Sequence, residues 1–408
     1  MATVHTGRCW RITAGGLAVS LLAVGCSAGP GSPTPTATGA TAGGRSTTPR
    51  SSQASSSPRT TPSTSPSPGG LLAASDPYAA SRTGLISPAL SGIPARVYVP
   101  NETTNDVVVI DPGTFRIIAR YRVGRTPEHI TPDWAGRQLY VEDMNGSTLT
   151  VIDPRSGRPT GATLPVPYPY NLYFSLDGST AISVQDFLNA AGLSMNGLRF
   201  YDRRTWRETG WLPIPFSGAN HLDLSADGSF LMLSGESSGM VGKVDLRRRQ
   251  LVGTIKVGGS PTDVRLSPDG RLFFVANQIT NGVDVLDPMT MRLVAFIPTG
   301  VGAHGLAFSR DTKQLYVTNR LAGSVSVIDV ASRRVVATWR VGGSPDMVSV
   351  SPNGRQLWIS NRYNGTVEVI DSVSGRVLAT IATGGSPHGL SYWPQPGGHS
   401  IGHNGNMR

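Results

Sequence analysis

From Arg96 onward the chain alternates short runs rich in Val, Ile, Tyr and Phe with clusters of Gly, Pro, Asn and Asp. The runs are about five residues long, which suits strands rather than helices, and β-branched and aromatic residues dominate them. The cleanest stretch shows four such runs in succession, at 305–309, 314–319, 324–329 and 334–339, here called A, B, C and D. The turns between them carry the signature of antiparallel hairpins. Ser267-Pro268-Asp269-Gly270 and Ser351-Pro352-Asn353-Gly354 join A to B, with Pro presetting a negative φ and Gly taking the left-handed position. Between D and the next A stands Gly258-Gly259-Ser260-Pro261, repeated at 342–345 and 384–387.

The pattern recurs. Tyr98, Tyr140, Ile182, Met232, Phe274, Tyr316 and Trp358 occupy the same place in seven units, at intervals of 42, 42, 50, 42, 42 and 42 residues. A four-stranded sheet cannot cover both of its faces, and radial repetition solves this by packing each sheet between two neighbours. The first unit opens at Arg96 directly in strand B, whereas residues 387–393 form an A strand with no B after it. The sequence therefore predicts an all-β, seven-bladed β-propeller of four-stranded antiparallel blades, closed by the C-terminal strand joining the first blade. Residues 96–393 make the propeller, 71–95 a strap packed on it, and 394–408 a flexible C-terminal tail.

The N-terminal part reads differently. Arg8 and Arg11 precede an apolar run from Ile12 to Val24, which is signal-peptide length and too short to span a bilayer. The run closes as Leu22-Ala23-Val24-Gly25-Cys26, which resembles the lipobox of bacterial lipoproteins. That resemblance implies removal of residues 1–25, lipidation of Cys26 with palmitate or a similar chain, and anchoring on the extracytoplasmic face of the cell membrane. Residues 26–70 are almost wholly Ser, Thr, Pro, Gly and Ala and cannot bury a core. As a flexible coil this tether would hold the folded part about 35–40 Å from the membrane. Its composition also suits O-glycosylation.

The repeat, with a literal Tyr316-Val317-Thr318-Asn319, resembles the YVTN family of β-propellers over residues 96–393. The resemblance implies the fold. It leaves function open, because such propellers include surface-layer proteins, lactonase-like enzymes, the propellers of cytochrome d1-type nitrite reductases and quinoprotein subunits.

Composition narrows the choice. Among 408 residues there are only two cysteines, so a disulfide framework and a cysteine-based zinc site are both excluded. The formal charge is +10, but residues 1–95 hold six Arg against one Asp, leaving 30 basic and 25 acidic residues in 96–408, a balance of +5. Arg203, Arg204, Arg207 and the run 247–249 fall near C–D turns, a thin basis for tracking phosphates, and nucleic-acid binding is the least favoured reading.

In such a propeller strand A lines the central channel, and the residues just after the D–A proline sit at its mouth. All four histidines of 96–393, His129, His221, His304 and His388, occupy those positions, together with Glu128, Asp263 and Asp346. Imidazoles and carboxylates converging there suit a metal, a haem or proton transfer, although the blade spacing predicts that some are too far apart to share one ion. Asn101, Asp143, Gln185, Asn277, Asn319 and Asn361 end B strands and could offer oxygen to calcium or simply cap the turn. Arg320 and Arg362 follow two of them, as a fork for carboxylate or phosphate or as solvated loop residues. The extra length of the third unit enlarges the loop 186–197, whose Phe187, Leu188, Leu193 and Met195 predict a lid or a partner contact.

No nucleophile elbow, phosphate-cradling loop or zinc-protease pattern is present in the sequence. The reading is a membrane-anchored, non-catalytic binding module, monomeric, taking a protein, glycan or small ligand at the channel mouth. The alternative is a lactonase-like or d1-haem-type enzyme or cofactor carrier using the channel-mouth His and acidic residues. No cofactor is assigned; a metal or haem is what the mouth could take. Replacing Cys26 by Ser should move the protein from the membrane fraction to the soluble fraction and abolish incorporation of labelled palmitate. Unchanged membrane retention would contradict the anchor.

Overall fold

The computed structural model describes residues 76–186 and 195–408. The seven repeats form seven antiparallel sheets, each built from strands A to D of one blade. The A strands are Ser391–Trp393 in blade 1, then Pro127–Pro132, Pro169–Phe174, Ala219–Leu224, Pro261–Leu266, Ala303–Phe308 and Pro345–Val350 in blades 2 to 7. Blade 1 takes its A strand from the far end of the chain. Arg96 pairs with Trp393, Val97 with Tyr392 and Tyr98 with Ser391, so the ring closes as the unit count requires.

The seven residues that mark the repeat, from Tyr98 to Trp358, are all buried in B strands. Each lies in a cluster shared between neighbouring blades. Tyr316, Val325 and Val327 of blade 6 pack on Val348, Leu357 and Ile359 of blade 7. Val97, Val99, Val108 and Ile110 of blade 1 pack on Trp358, Val367 and Val369 of blade 7, which seals the ring. Strand D is the outer edge, and in Arg334–Arg340 exposed and half-buried residues alternate along it. Charged residues on that edge protect it from pairing with other chains.

The Gly-Gly-Ser-Pro turn has a steric cause. Gly259, Gly343 and Gly385 have φ of +59°, +62° and +59°, and a Cβ on them would strike Asn277, Asn361 and Asn101 respectively. Only glycine satisfies both demands. Beyond the turn, strands A and B shift register between Pro127 and Ile130, Pro261 and Val264, Ala303 and Leu306, and Pro345 and Val348. The two residues inside each irregularity leave the ladder, as in a bulge, and become available to the channel.

Residues 394–408 do not behave as the flexible tail that their Gly, Asn and His content predicts. They turn back beneath the ring, where Ser400–Gly402 and Asn406–Met407 extend blade 3 to six strands at its inner edge. Ile401 and Met407 are buried in blade clusters, and Arg408 donates to Asp223 at 2.8 Å. The free edge of an innermost A strand and an apolar floor give the segment partners that its composition does not announce. The strap side holds it: Ser81 donates to the Met407 carbonyl at 2.9 Å, Tyr78 to that of Leu266 at 2.8 Å, and Leu90 and Ile93 join Trp393 in one core.

Deleting residues 387–408 removes the fourth strand of blade 1 and this floor together, so no cooperative thermal transition is expected. A truncated chain that melts at the wild-type temperature would refute the closure. Trp393→Ala alone should cost about 3–5 kcal/mol in a denaturant titration.

Candidate functional site on the channel axis

The strand A positions after the turn face the axis in two strata. The first residue of each pair, Glu128, Tyr170, Asn220, His304, Asp346 and His388, meets the B–C turns at the mouth. The second, His129, His221 and Asp263, meets the returning C-terminal segment.

Asp346 is the hub of the upper stratum. Arg320 donates to its Oδ1 from Nε at 2.8 Å and also from Nη2, while His304 Nδ1 lies 3.0 Å from the same oxygen. His304 Nε2 accepts from Arg320 Nη2 at 2.6 Å, which fixes the neutral tautomer with its hydrogen on Nδ1. His388 places Nδ1 2.6 Å from Glu128 Oε2 and 3.2 Å from Glu102 Oε1, with Nε2 3.5 Å from Asp346 Oδ2. Arg362 pairs with Glu102 at 2.5 Å, and Asn220 donates to Glu236 at 2.6 Å.

Burial sets the protonation here. It raises the Glu128 carboxyl well above the usual range, helped by the Glu102 charge, which favours its protonated form beside His388. Burial, with Arg362 and Arg320 nearby, holds His388 and His304 well below ordinary imidazole values. Burial opposes the charge on Arg362, but the carboxylates of Asp346, Glu102 and Glu128 outweigh it and raise its pKa.

The lower stratum is richer in nitrogen. His129 Nδ1 lies 3.3 Å from Asn404 Oδ1, and His221 Nδ1 contacts Asn220 Oδ1. His403, on the short 3-10 turn His403–Gly405, enters beside them, its Nε2 3.9 Å from Asp263 Oδ1. Asp263 accepts from the backbone N–H of Val264 and Leu306, both at 2.9 Å, tying blade 5 to blade 6. Burial raises Asp263 to about 6 against the pull of Arg265, and lowers His129 to about 3.

Several expectations change. The four predicted histidines are not too far apart, because the ring brings their A strands to one axis. Ring centroids are 4.5 Å apart for His129 and His388, 5.3 Å for His129 and His221, and 6.3 Å for His221 and His304. At this spacing no slot for a planar haem remains between them. Arg320 and Arg362 are neither solvated nor open forks, since Asp346 and Glu102 already occupy them. Asp263 braces two blades below the mouth. Two of the B-strand amides cap turns: Asn277 accepts from Ser260 N–H and donates to Asp284, and Asn319 accepts from Gly300 N–H and donates to Ser324 and Ser326, whereas Asn101 and Asn361 donate to Asp106 and to Thr366 and Glu368. Phe187, Leu188 and Leu193 lie outside the described residues, while Met195 is half-buried.

Glu102, Glu236, His403 and Asn404 join the site unpredicted. Glu102 and Glu236 occupy the same repeat position as Arg320 and Arg362, directly after the B strand, and reading that column for both charges would have found them. No comparable signal marks His403, whose place depends on the tail's path.

Arg320→Met would leave the buried Asp346 carboxylate uncompensated, an expected loss of about 3–5 kcal/mol in unfolding free energy. Adding Asp346→Asn should restore a large part of it. A single variant as stable as the wild type would show that this pair does not organise the mouth.

No curated protein matches the chain in sequence. Among solved structures it is similar to a functionally unknown protein from Desulfotomaculum acetoxidans, with TM-score 0.63 and 18% identity, over 73% of this chain and 98% of that one. The periplasmic gluconolactonase PpgL of Pseudomonas aeruginosa gives 0.62 and 20% over 74% and 99%. The dihydro-heme d1 dehydrogenase NirN, in complex with DHE, gives 0.55 and 16% over 76% and 77%. Identities this low carry the fold alone. The sequence itself matches the model of one family across residues 65–395, and on that ground the chain belongs to the YNCE-like β-propellers.

Proposed function

We propose that the propeller is a non-catalytic module that docks a protein partner on its mouth face, held by Cys26 at the outer face of the cell membrane. One observation carries this reading. On three consecutive blades the B–C turn puts a polar residue inward, Gln278, Arg320 or Arg362, and a large apolar one outward. Those outward residues, Ile279, Leu321 and Tyr363, are 67%, 68% and 64% exposed. Val301 extends the arc beside Leu321, whose N–H donates to the Val301 carbonyl at 3.1 Å. The same column holds Thr103, Asn145 and Ser237 in blades 1, 2 and 4, so the apolar arc is not a demand of the repeat.

An exposed apolar arc rimmed by charge marks an interaction surface. Tyr363 also lies 5.7 Å and 5.8 Å from the guanidinium carbons of the inward Arg320 and Arg362, which back its ring, and an exposed Tyr is a residue that anchors protein interfaces. The arc forms an outward rim, which suits a macromolecule better than a small ligand enclosed in a cleft.

A second reading has its own support. The Glu128 acid against neutral His388, with a gluconolactonase among the similar folds, favours lactone hydrolysis. The imidazole bonds seen here run to amides, carboxyls, a guanidinium and backbone oxygen rather than to a hydroxyl or thiol nucleophile, which favours binding over covalent chemistry.

A photo-crosslinking side chain placed at Leu321 or Tyr363 should give discrete adducts in membrane preparations, lost when Ile279 is changed to Asp. The same probe at Val373, 85% exposed on the opposite face, should not. Equal labelling from both faces, or turnover of simple lactones by the purified protein, would overturn the docking reading.

A further inference from the structure

The two strata differ in how completely their nitrogen atoms are bonded. In the upper stratum His304 has partners on both ring nitrogens, and the unbonded His388 Nε2 at least faces a carboxylate, Asp346 Oδ2 at 3.5 Å. In the lower stratum His129 Nε2, His221 Nε2 and both nitrogens of His403 have none among the described residues, although all three residues are fully buried. A buried polar atom without a partner costs about 1–3 kcal/mol, so four in one place call for an occupant.

We propose that His129, His221 and His403 bind a divalent first-row transition-metal ion of the imidazole-preferring class, with zinc as its type. One ligand atom from each lies within 4.8 Å of the other two, and the ring centroids are 4.7 to 5.3 Å apart. Metal–nitrogen bonds of about 2.0–2.1 Å in tetrahedral geometry bring such nitrogens to about 3.4 Å, so small ring movements complete the site.

The outer partners already choose two of the ligand atoms. Asn404 Oδ1 takes the Nδ1 hydrogen of His129 and Asn220 Oδ1 that of His221, which leaves both unbonded Nε2 atoms free to act as ligands. Asp263 Oδ1 lies 3.9 Å from His403 Nε2, too far for a hydrogen bond, and supplies negative charge beside the third ring, whose two nitrogens both remain open to the metal. Burial keeps all three imidazoles in the neutral form that binds metals. Three protein nitrogens leave a fourth position for water or another ligand.

The donors come from blade 2, blade 4 and the C-terminal turn, so the site exists only when the tail is seated under the ring. Metal binding therefore stabilises the closed propeller, by linkage to the folded state. The inference is independent of the docking surface, and its test needs no partner.

The untagged full chain, stripped with chelator, should take up one equivalent of Zn2+ in calorimetry, with a rise in melting temperature. Co2+ alone should give the visible absorption bands of a low-coordinate, nitrogen-ligated ion. His221→Gln and His403→Asn should each weaken Zn2+ binding by about two orders of magnitude, while His399→Gln, whose ring stacks on Trp134 outside the cluster, changes it by less than about threefold. Far-ultraviolet circular dichroism checks that each variant is folded. Because the wild-type titration needs no variant, the proposal stays exposed if one fails to fold. No stoichiometric uptake by wild type, or equal loss in His399→Gln, would overturn it.

Discussion

The ring depends on one short pairing, that of Ser391–Trp393 with the start of blade 1. Seven sheets that cannot cover their own faces are stable only when each has two neighbours, and this pairing provides the last. Trp393 then lies fully buried against Tyr98, Ile130 and Leu139 of blades 1 and 2 and Leu90 of the strap, tying closure to the packing of both chain ends. Closure has a second effect. It gathers seven A strands around one axis, where the polar residues that follow each turn lose contact with water and must satisfy one another.

How they do so divides the axis. At the mouth, one carboxylate, Asp346, serves an arginine and two histidines, and the neighbouring glutamates complete the network. Below it, imidazoles meet the chain's own C-terminus, and nitrogen outnumbers the groups that could bond it. The strap and the C-terminal segment close the lower end through Tyr78, Ser81, Met407 and Arg408. The basic residues near C–D turns, such as Arg203 and Arg249, are engaged there with the carbonyls of Gly178 and Thr209.

The repeat made the fold legible. A 42-residue period with a missing first A strand and a surplus last one specifies seven blades and their closure before any contact is known. Position in the repeat also identified His129, His221, His304 and His388, since strand A must line the axis. It did not reveal their partners. Arg320 and Asp346 are 26 residues apart and on different blades, and whether a guanidinium faces solvent or a carboxylate depends on side-chain reach, which a repeat pattern does not encode. The C-terminal segment was the clearest miss. Its Gly, His and Asn content resembles that of a mobile tail, and its order comes from an edge and a floor that exist only after the ring has closed.

That order is the part of the account most open to a direct check, because the lower stratum, its histidine cluster and the sealed lower face all rest on it. Hydrogen–deuterium exchange of peptides covering residues 394–408 measures it in the full chain. Protection comparable to that of the blade strands is the predicted result, led by the amides of Gly398, Ser400 and Arg408, which donate to Arg408, Trp134 and His399 carbonyls. Complete exchange within seconds, with the blades still protected, would contradict it.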